Sequence, residues 1–332
     1  MKPGFSIALA AAALLALGSA SAQQPIVIKF SHVVAVDTPK GKAAEYFKKL
    51  AEERTKGRVK IEVYPNSQLY KDGEEREALQ LGSVQMLAPS VAKFGTLGVR
   101  EFEVFDLPYI FETYADLHKV TDGAVGALLF QKLQAKGIIG VAYWDNGFKD
   151  FSANKPLKLP ADAKGLKMRI QSSNVLEAEI RALNGLPQKM AFSEVYQGLQ
   201  TGVVDGTENP PSNFYTQKMH EVQKYLTMTD HGVIEYAVIV NKKFWDGLPA
   251  DIRTILEGAM KDATKFADDI AKKENDDALE AVKKSGKTQV IVLSADEKAA
   301  WKKALVVVHR EQESRIGADI IQSVYKETGF KP

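Results

Sequence analysis

Between Ala250 and Lys284 no proline interrupts a helical pattern that carries Ile252, Leu256, Met260, Ala263, Ala267 and Ile270 on one side. At 1.5 Å per residue this stretch makes a rod of roughly 50 Å, longer than a single lobe of ordinary size. Two arrangements satisfy it: two helices broken near Gly258, or one strut laid across two lobes. Length independently points to two lobes, because 332 residues exceed the roughly 100–150 around which domains cluster.

The upstream pattern supplies the lobes. Ile26–Ser31 alternates as a strand, Thr38-Pro39 opens an amphipathic helix to about Lys56, and Gly57 stops it. Val59–Tyr64 reads as the next strand, Glu74–Gly82 as a helix and Val84–Pro89 as a third strand. Such alternation predicts a parallel sheet with right-handed crossovers. An ordered loop over Phe105–Tyr109, two helices within Asp116–Lys136 and an apolar strand Gly137–Trp144 follow, ending at the turn signal Asn146-Gly147. From Phe148 the alternation restarts. It predicts strands at Phe151, Leu166–Ile170 and Leu186–Lys189, helices over Asn174–Leu183 and Ser193–Thr201, and strands Tyr225–Thr229 and Tyr236–Asn241. Val290–Leu293 is a short strand, and Ser294 with Glu297 forms a capping box opening a terminal helix toward Lys326. The expected division is a first lobe over 25–146 and 232–265, a second over 147–231 and 285–330, and a helix over 250–284 spanning both. Two strand crossings between lobes make a hinge.

Residues 1–22 read as a secretory leader: Lys2, an apolar run from Phe5 to Leu17, and a small-residue cleavage site at Ala20-Ser21-Ala22. The run falls short of the roughly 20 apolar residues a membrane span needs. Losing Lys2 takes the net charge from +2 to +1, which argues against nucleic acid or an anionic membrane as partner, and no later segment is expected to cross a bilayer. With no cysteine the chain uses neither disulfides nor thiolate chemistry and has no lipid-anchor site. The periplasm is the expected location.

No catalytic set is expected. There is no G-x-S-x-G elbow, and His32, His118, His220, His231 and His309 are scattered. His220-Glu221 begins like H-E-x-x-H, but position 224 is Lys. Phosphate-loop, dinucleotide and calcium-loop spacings are missing too, so no cofactor is expected and no local metal motif exists, although ligands from distant positions could assemble.

What the chain offers instead is a set of donors. Arg169 sits between Met168 and Ile170 in an apolar strand, where an unpaired guanidinium costs several kcal/mol. Its partner is an internal carboxylate such as Glu194 or Asp205, or a ligand carboxylate held bidentately. Asn209 precedes Pro210-Pro211, which fix its direction; its amide either caps the helix start at Ser212 or donates to a ligand. Lys149 falls at the lobe crossing. His32, Ser90 and Lys93 follow the first and third strands, where open α/β sheets bind ligands. Phe192 and Phe214 read either as core or as an apolar wall beside the donors.

The chain resembles the substrate-binding proteins of tripartite ATP-independent periplasmic (TRAP) transporters, in the branch that captures C4-dicarboxylates. The segments that carry the resemblance are FSHVVAVDTPKGKAAEYFKKLAEERTKGRVKIEVYPNSQLY, VFDLPYIF, YWDNGFK, GLKMRIQSS, AFSEVYQGLQTGVVDGTENPPSNFY and VNKKFWDGLP, between about Ile28 and Phe330. The resemblance implies a two-lobed α/β periplasmic-binding-protein fold with a long spanning helix. It implies that Arg169 pairs with a substrate carboxylate, that Asn209 supports it, and that His32, Ser90 and Lys93 meet the distal end. Many members carry arginine where this chain has Lys149, a departure that trades a planar fork for a point charge. Malate, succinate or fumarate is the expected ligand, with another organic acid or presentation to a sensor as the alternative and a periplasmic hydrolase as a remote one. The implied partner is a sodium-driven permease of a small and a large membrane subunit.

Overall fold

A computed structural model describes residues 24–332; the leader expected at 1–22 lies outside the described residues. Strand β1 (Ile26–Ser31) pairs in parallel with β2 (Val59–Tyr64) across helix α1 (Pro39–Arg54). Thr38 caps α1, its Oγ1 accepting from Gly41 N at 3.1 Å, and Pro39 takes the first helical position, where its missing N–H costs nothing. Helix α2 (Glu75–Gln80) leads to β3 (Met86–Leu87), parallel to β1 on its other side. Two 3₁₀ turns and helices α3 (Tyr114–Thr121) and α4 (Ala124–Gln134) then deliver the chain to β4 (Ile138–Ala153).

β4 runs straight through Asn146-Gly147, where the sequence predicted a turn. The reason lies in α9 (Ala250–Ser285): a Cβ on Gly147 would stand 2.6 Å from Asn275 Nδ2 of that helix, so the glycine marks a close approach. After β4 come β5 (Lys167–Ile170), α5 (Asn174–Ala182), β6 (Leu186–Lys189), α6 (Val195–Thr201), β7 (Gly206–Asn209) and α7 (Pro211–Thr216). β7, short and polar, was not anticipated. The two strands expected near 230 and 238 are one strand, β8 (Tyr225–Asn241), because the intervening Gly232–Glu235 pair with Asp145–Lys149 of β4. Short α8 (Lys242–Asp246), α9 and β9 (Gln289–Val292) follow.

The sheet order is β2-β1-β3-β8-β4-β7-β5-β6, with β9 also on β8. Pairing is parallel on both flanks but antiparallel at β3/β8, β8/β4 and β4/β7, so the sheet is mixed rather than parallel. The two long central strands belong to both lobes. Glu235–Asn241 of β8 pairs with Ile138–Asp145 and reaches β3, whereas Tyr225–Gly232 pairs with Lys149–Ala153 and carries β9. Between the halves the register slips at Asp145/Gly147 and at Lys149/Phe151, bulges that break the ladder where a hinge belongs.

α9 is one helix of 36 residues, unbroken at Gly258. Ile252, Leu256, Met260, Ala263 and Ala267 pack with Phe47 and Trp144, while Val282 at the far end packs with Leu199, Phe214 and Leu226. The strut therefore joins two cores. The capping box at Ser294 and Glu297 forms as expected, but the terminal segment is three helices, α10 (Ala295–Leu305), α11 (Val307–Ile316) and α12 (Ala318–Thr328), divided at Val306 and at Gly317, whose φ of 108° is open to glycine. α12 packs on α3 and α4. No helix among the described residues is long and apolar enough to cross a membrane.

Candidate functional site

At the seam between the lobes a narrow space of about 20 Å³ is lined by Asp72, Ser90 and Lys93 from the β2–α2 and β3 connections, by Arg169, Gln171, Phe192, Asn209 and Asn213, and by Val33, Val34, Ile234 and Tyr236. Arg169, 2% exposed, leaves the end of β5 and donates from Nε and Nη2 to Met190 O at 3.0 and 2.9 Å. One edge of the guanidinium is thus pinned by backbone; Nη1 has no acceptor among the described residues. Neither internal carboxylate considered as its partner meets it: Glu194 pairs with Lys71 at 2.9 Å, and Asp205 accepts from Lys167 N at 2.8 Å. Burial lowers the Arg169 pKa, opposed by Asp72 and then Glu208. Phe192 lies under the guanidinium, 5.6 Å from ring centroid to carbon.

Asp72 is the carboxylate that faces Arg169. It comes from the other lobe, accepts from Lys93 Nζ and also accepts from Phe192 N. Burial alone would raise its carboxyl, but the Lys93 ammonium and the Arg169 guanidinium outweigh burial and hold it down at about 2. Glu75, 3.7 Å from Lys93 Nζ, behaves oppositely: burial wins and raises it. Two cations, Arg169 and Lys93, therefore oppose one firmly ionised carboxylate. Asn209, 1% exposed, donates through Nδ2 to Thr207 Oγ1 at 3.2 Å, and its Oδ1 is buried without a partner among the described residues, as is Asn213 Oδ1.

Of the residues singled out from sequence, Arg169, Asn209, Ser90, Lys93 and Phe192 line this space. Three stand elsewhere. His32 is buried beside it, with neither ring nitrogen partnered among the described residues, and burial with the neighbouring Lys40 charge pushes its imidazole down to about 3. Lys149, fully buried, pairs with Glu208 Oε2 at 2.8 Å, and His231 Nε2 meets the same oxygen at 2.9 Å. Against its burial, Lys149 and His231 hold Glu208 at about 2. Phe214 lies in the second-lobe core with Leu199, Met219 and Leu226.

Sequence reasoning missed Asp72, Tyr236 and Lys40. Lys40 donates to Ala88 O at 2.8 Å and stands 3.5 Å above the Tyr236 ring, whose hydroxyl accepts from Asn146 Nδ2 at 3.0 Å. A lysine in the first turn of α1 opposes the helix dipole, and that anomaly was the available signal. Asp72-Gly73 reads only as a turn. The arrangement has donors and fixed charge but no side chain activated as a nucleophile, which suits holding an anion between lobes.

Residues 30–315 match the family described as bacterial extracellular solute-binding protein, family 7. The chain is 65% identical over 319 residues, 96% of each chain, to a C4-dicarboxylate-binding periplasmic protein of Rhodobacter capsulatus. It superimposes with a TM-score of 0.89 on a TRAP periplasmic solute-binding protein from Shewanella oneidensis with bound succinate, at 40% identity, covering 92% of this chain and 99% of that one. A counterpart from Pseudomonas aeruginosa with bound L-malate gives a TM-score of 0.85 at 43% identity, covering 86% and 100%. With two α/β lobes, a strut across them and a charged seam between, the chain belongs to family 7 of the bacterial extracellular solute-binding proteins, the substrate-binding components of TRAP transporters.

Proposed function

We propose that the protein captures a C4-dicarboxylate such as succinate, malate or fumarate in the periplasm by closing its lobes around it. The observation that carries this reading is Arg169, held at one edge by Met190 O, with Lys93 of the opposite lobe across the same space. One ligand carboxylate meets Arg169 and Asn209; the other meets Lys93 and Ser90. Lys149 acts from behind, fixing Glu208, whose charge reaches Arg169. His32 shapes the first-lobe wall, and Phe192 supplies its apolar floor. The accompanying lobe division is 25–146 with 232–265 and 147–231 with 285–330, the last helix reaching back to α3 and α4. Closure follows from differential affinity, because a dianion spans both lobes only when they are together. Delivery to a permease of small and large membrane subunits, driven by sodium, completes the reading.

Calorimetry with succinate, malate, fumarate and acetate tests it. Dicarboxylates bind at micromolar levels, about −8 kcal/mol, and acetate binds far more weakly because closure around it leaves desolvated donors unpaired. Arg169→Lys loses about 2–5 kcal/mol of succinate affinity, as truncating one side of a buried charge pair does. Equal affinity for acetate and succinate, or an unchanged Arg169→Lys variant, sinks the reading.

A further inference from the structure

Away from the seam, four elements bring three carboxylates and an imidazole together. Asp145 of β4 and Glu235 of β8 are cross-strand partners, so both side chains leave the same face of the sheet. α9 lays Asp268 against them, its Oδ1 accepting from Asp145 N at 3.2 Å. α3 adds His118, whose Nε2 lies 2.8 Å from Asp145 Oδ2. One donor atom from each of His118, Asp145 and Asp268 falls within 4.8 Å of the other two. Asp145 and Glu235 are each 1% exposed, and Asp145 Oδ1 and Glu235 Oε2 are buried without a hydrogen-bond partner among the described residues. Neighbouring Asp122 adds more negative charge. Three carboxyl groups crowded around one imidazole carry a cost unless protons, partners or a cation offset their charge.

We propose that His118, Asp145, Glu235 and Asp268 form a binding site for a divalent first-row metal ion, zinc being the best chemical match. One nitrogen and three oxygens are a small, mixed donor set of the kind zinc takes at about 2.0–2.2 Å, whereas calcium demands roughly 6–8 oxygens. Tetrahedral ligation needs donor atoms about 3.4 Å apart, so the His118, Asp145 and Asp268 donors, which lie within 4.8 Å of one another, must draw closer, and Glu235 must turn in from its place opposite Asp145 to supply the fourth. His118, with 36% of its side chain exposed, gives the ion its way in. The ion ties the strut to both crossing strands at the Asp145/Gly147 register slip, and so stiffens the hinge independently of any ligand in the seam. No local motif announces the site, since its residues stand 27, 90 and 33 positions apart in the chain (145−118, 235−145, 268−235).

The test uses chelator-treated protein free of organic acids, titrated calorimetrically with Zn²⁺ and Ca²⁺ and followed by visible absorption with Co²⁺. Expected are one zinc per chain, a higher melting temperature with zinc, a four-coordinate Co²⁺ spectrum, and at least a tenfold weaker zinc affinity in His118→Gln. His118 is half-exposed, so that variant retains the parent's far-ultraviolet circular dichroism; Asp268→Asn gives the same loss by a second route. No zinc binding, undiminished binding in His118→Gln, or calcium binding as tight as zinc overturns the proposal. So does a cluster neutralised by protons alone, in which zinc leaves the melting temperature unmoved while Glu235→Gln raises it at neutral pH.

Discussion

His32 shows how a single buried side chain sets an acid limit. Its imidazole is held at about 3 against an ordinary 6.5, first by burial and then by Lys40, so between those values the unfolded chain binds a proton that the folded chain refuses. Its contribution is therefore complete above about pH 6.5 and drains away as pH falls, by about 2 kcal/mol at pH 5. Urea unfolding at pH 7 and pH 5 should show this loss in the parent protein and a smaller one in His32→Asn; equal losses contradict the assignment. Asp72, held at about 2, adds its own loss only at lower pH, as it protonates below the ordinary range of an aspartate. The residues legible in sequence were those whose type clashed with their setting. Arg169 announced itself as a cation inside an apolar strand. Lys149 was counted among the donors because nothing in YWDNGFK tells which face of β4 it takes; two register slips decide that, and they depend on a partner strand and on α9. Asp72 looked like any turn aspartate because its partners, Lys93 and Phe192, lie 21 and 120 residues away.

Among elements, α9 and the paired strands mark the limits of local pattern. α9 was readable because its apolar stripe, the absence of proline and its αL glycine stop at Gly286 all agree. β7 was not, because Gly206–Asn209 has no apolar alternation and owes its strand state to ladders with β4 and β5. Asn146-Gly147 misled for a related reason: the pair is a strong turn signal, but here Asn146 O accepts from Asn275 Nδ2 at 2.7 Å and the glycine clears room for that helix. Gly147→Ala should accordingly displace Asn275, which also accepts from Ser212 N at 3.0 Å, and destabilise by about 1–3 kcal/mol through overpacking. Chemical denaturation measures this directly. A variant as stable as the parent shows that α9 can move off β4 at no cost.

At the scale of the molecule, two lobes, crossing strands and a spanning helix were all foreseeable from alternation and length, whereas the single mixed sheet was not. Strand pairing across the hinge is a property of register, and register is settled between residues up to 103 positions apart (Asn241 minus Ile138). The same long-range character governs closure. Asp72 belongs to the first lobe and accepts from Phe192 N in the second, a contact that exists only when the lobes meet, while the nearby ion pair of Lys71 with Glu194 is half-exposed and contributes little. A hydrogen bond to a charged group contributes about 1.5–3 kcal/mol, so losing it shifts the open–closed balance by roughly 10–100-fold toward open. Asp72→Ala should then weaken succinate binding by about tenfold or more, chiefly by faster release, because interface changes act mostly on dissociation. Small-angle scattering of the ligand-free variant should give a larger radius of gyration than the parent. Stopped-flow release at the parent's rate, with no expansion, would mean that closure is set at the hinge strands and α9 rather than across the seam.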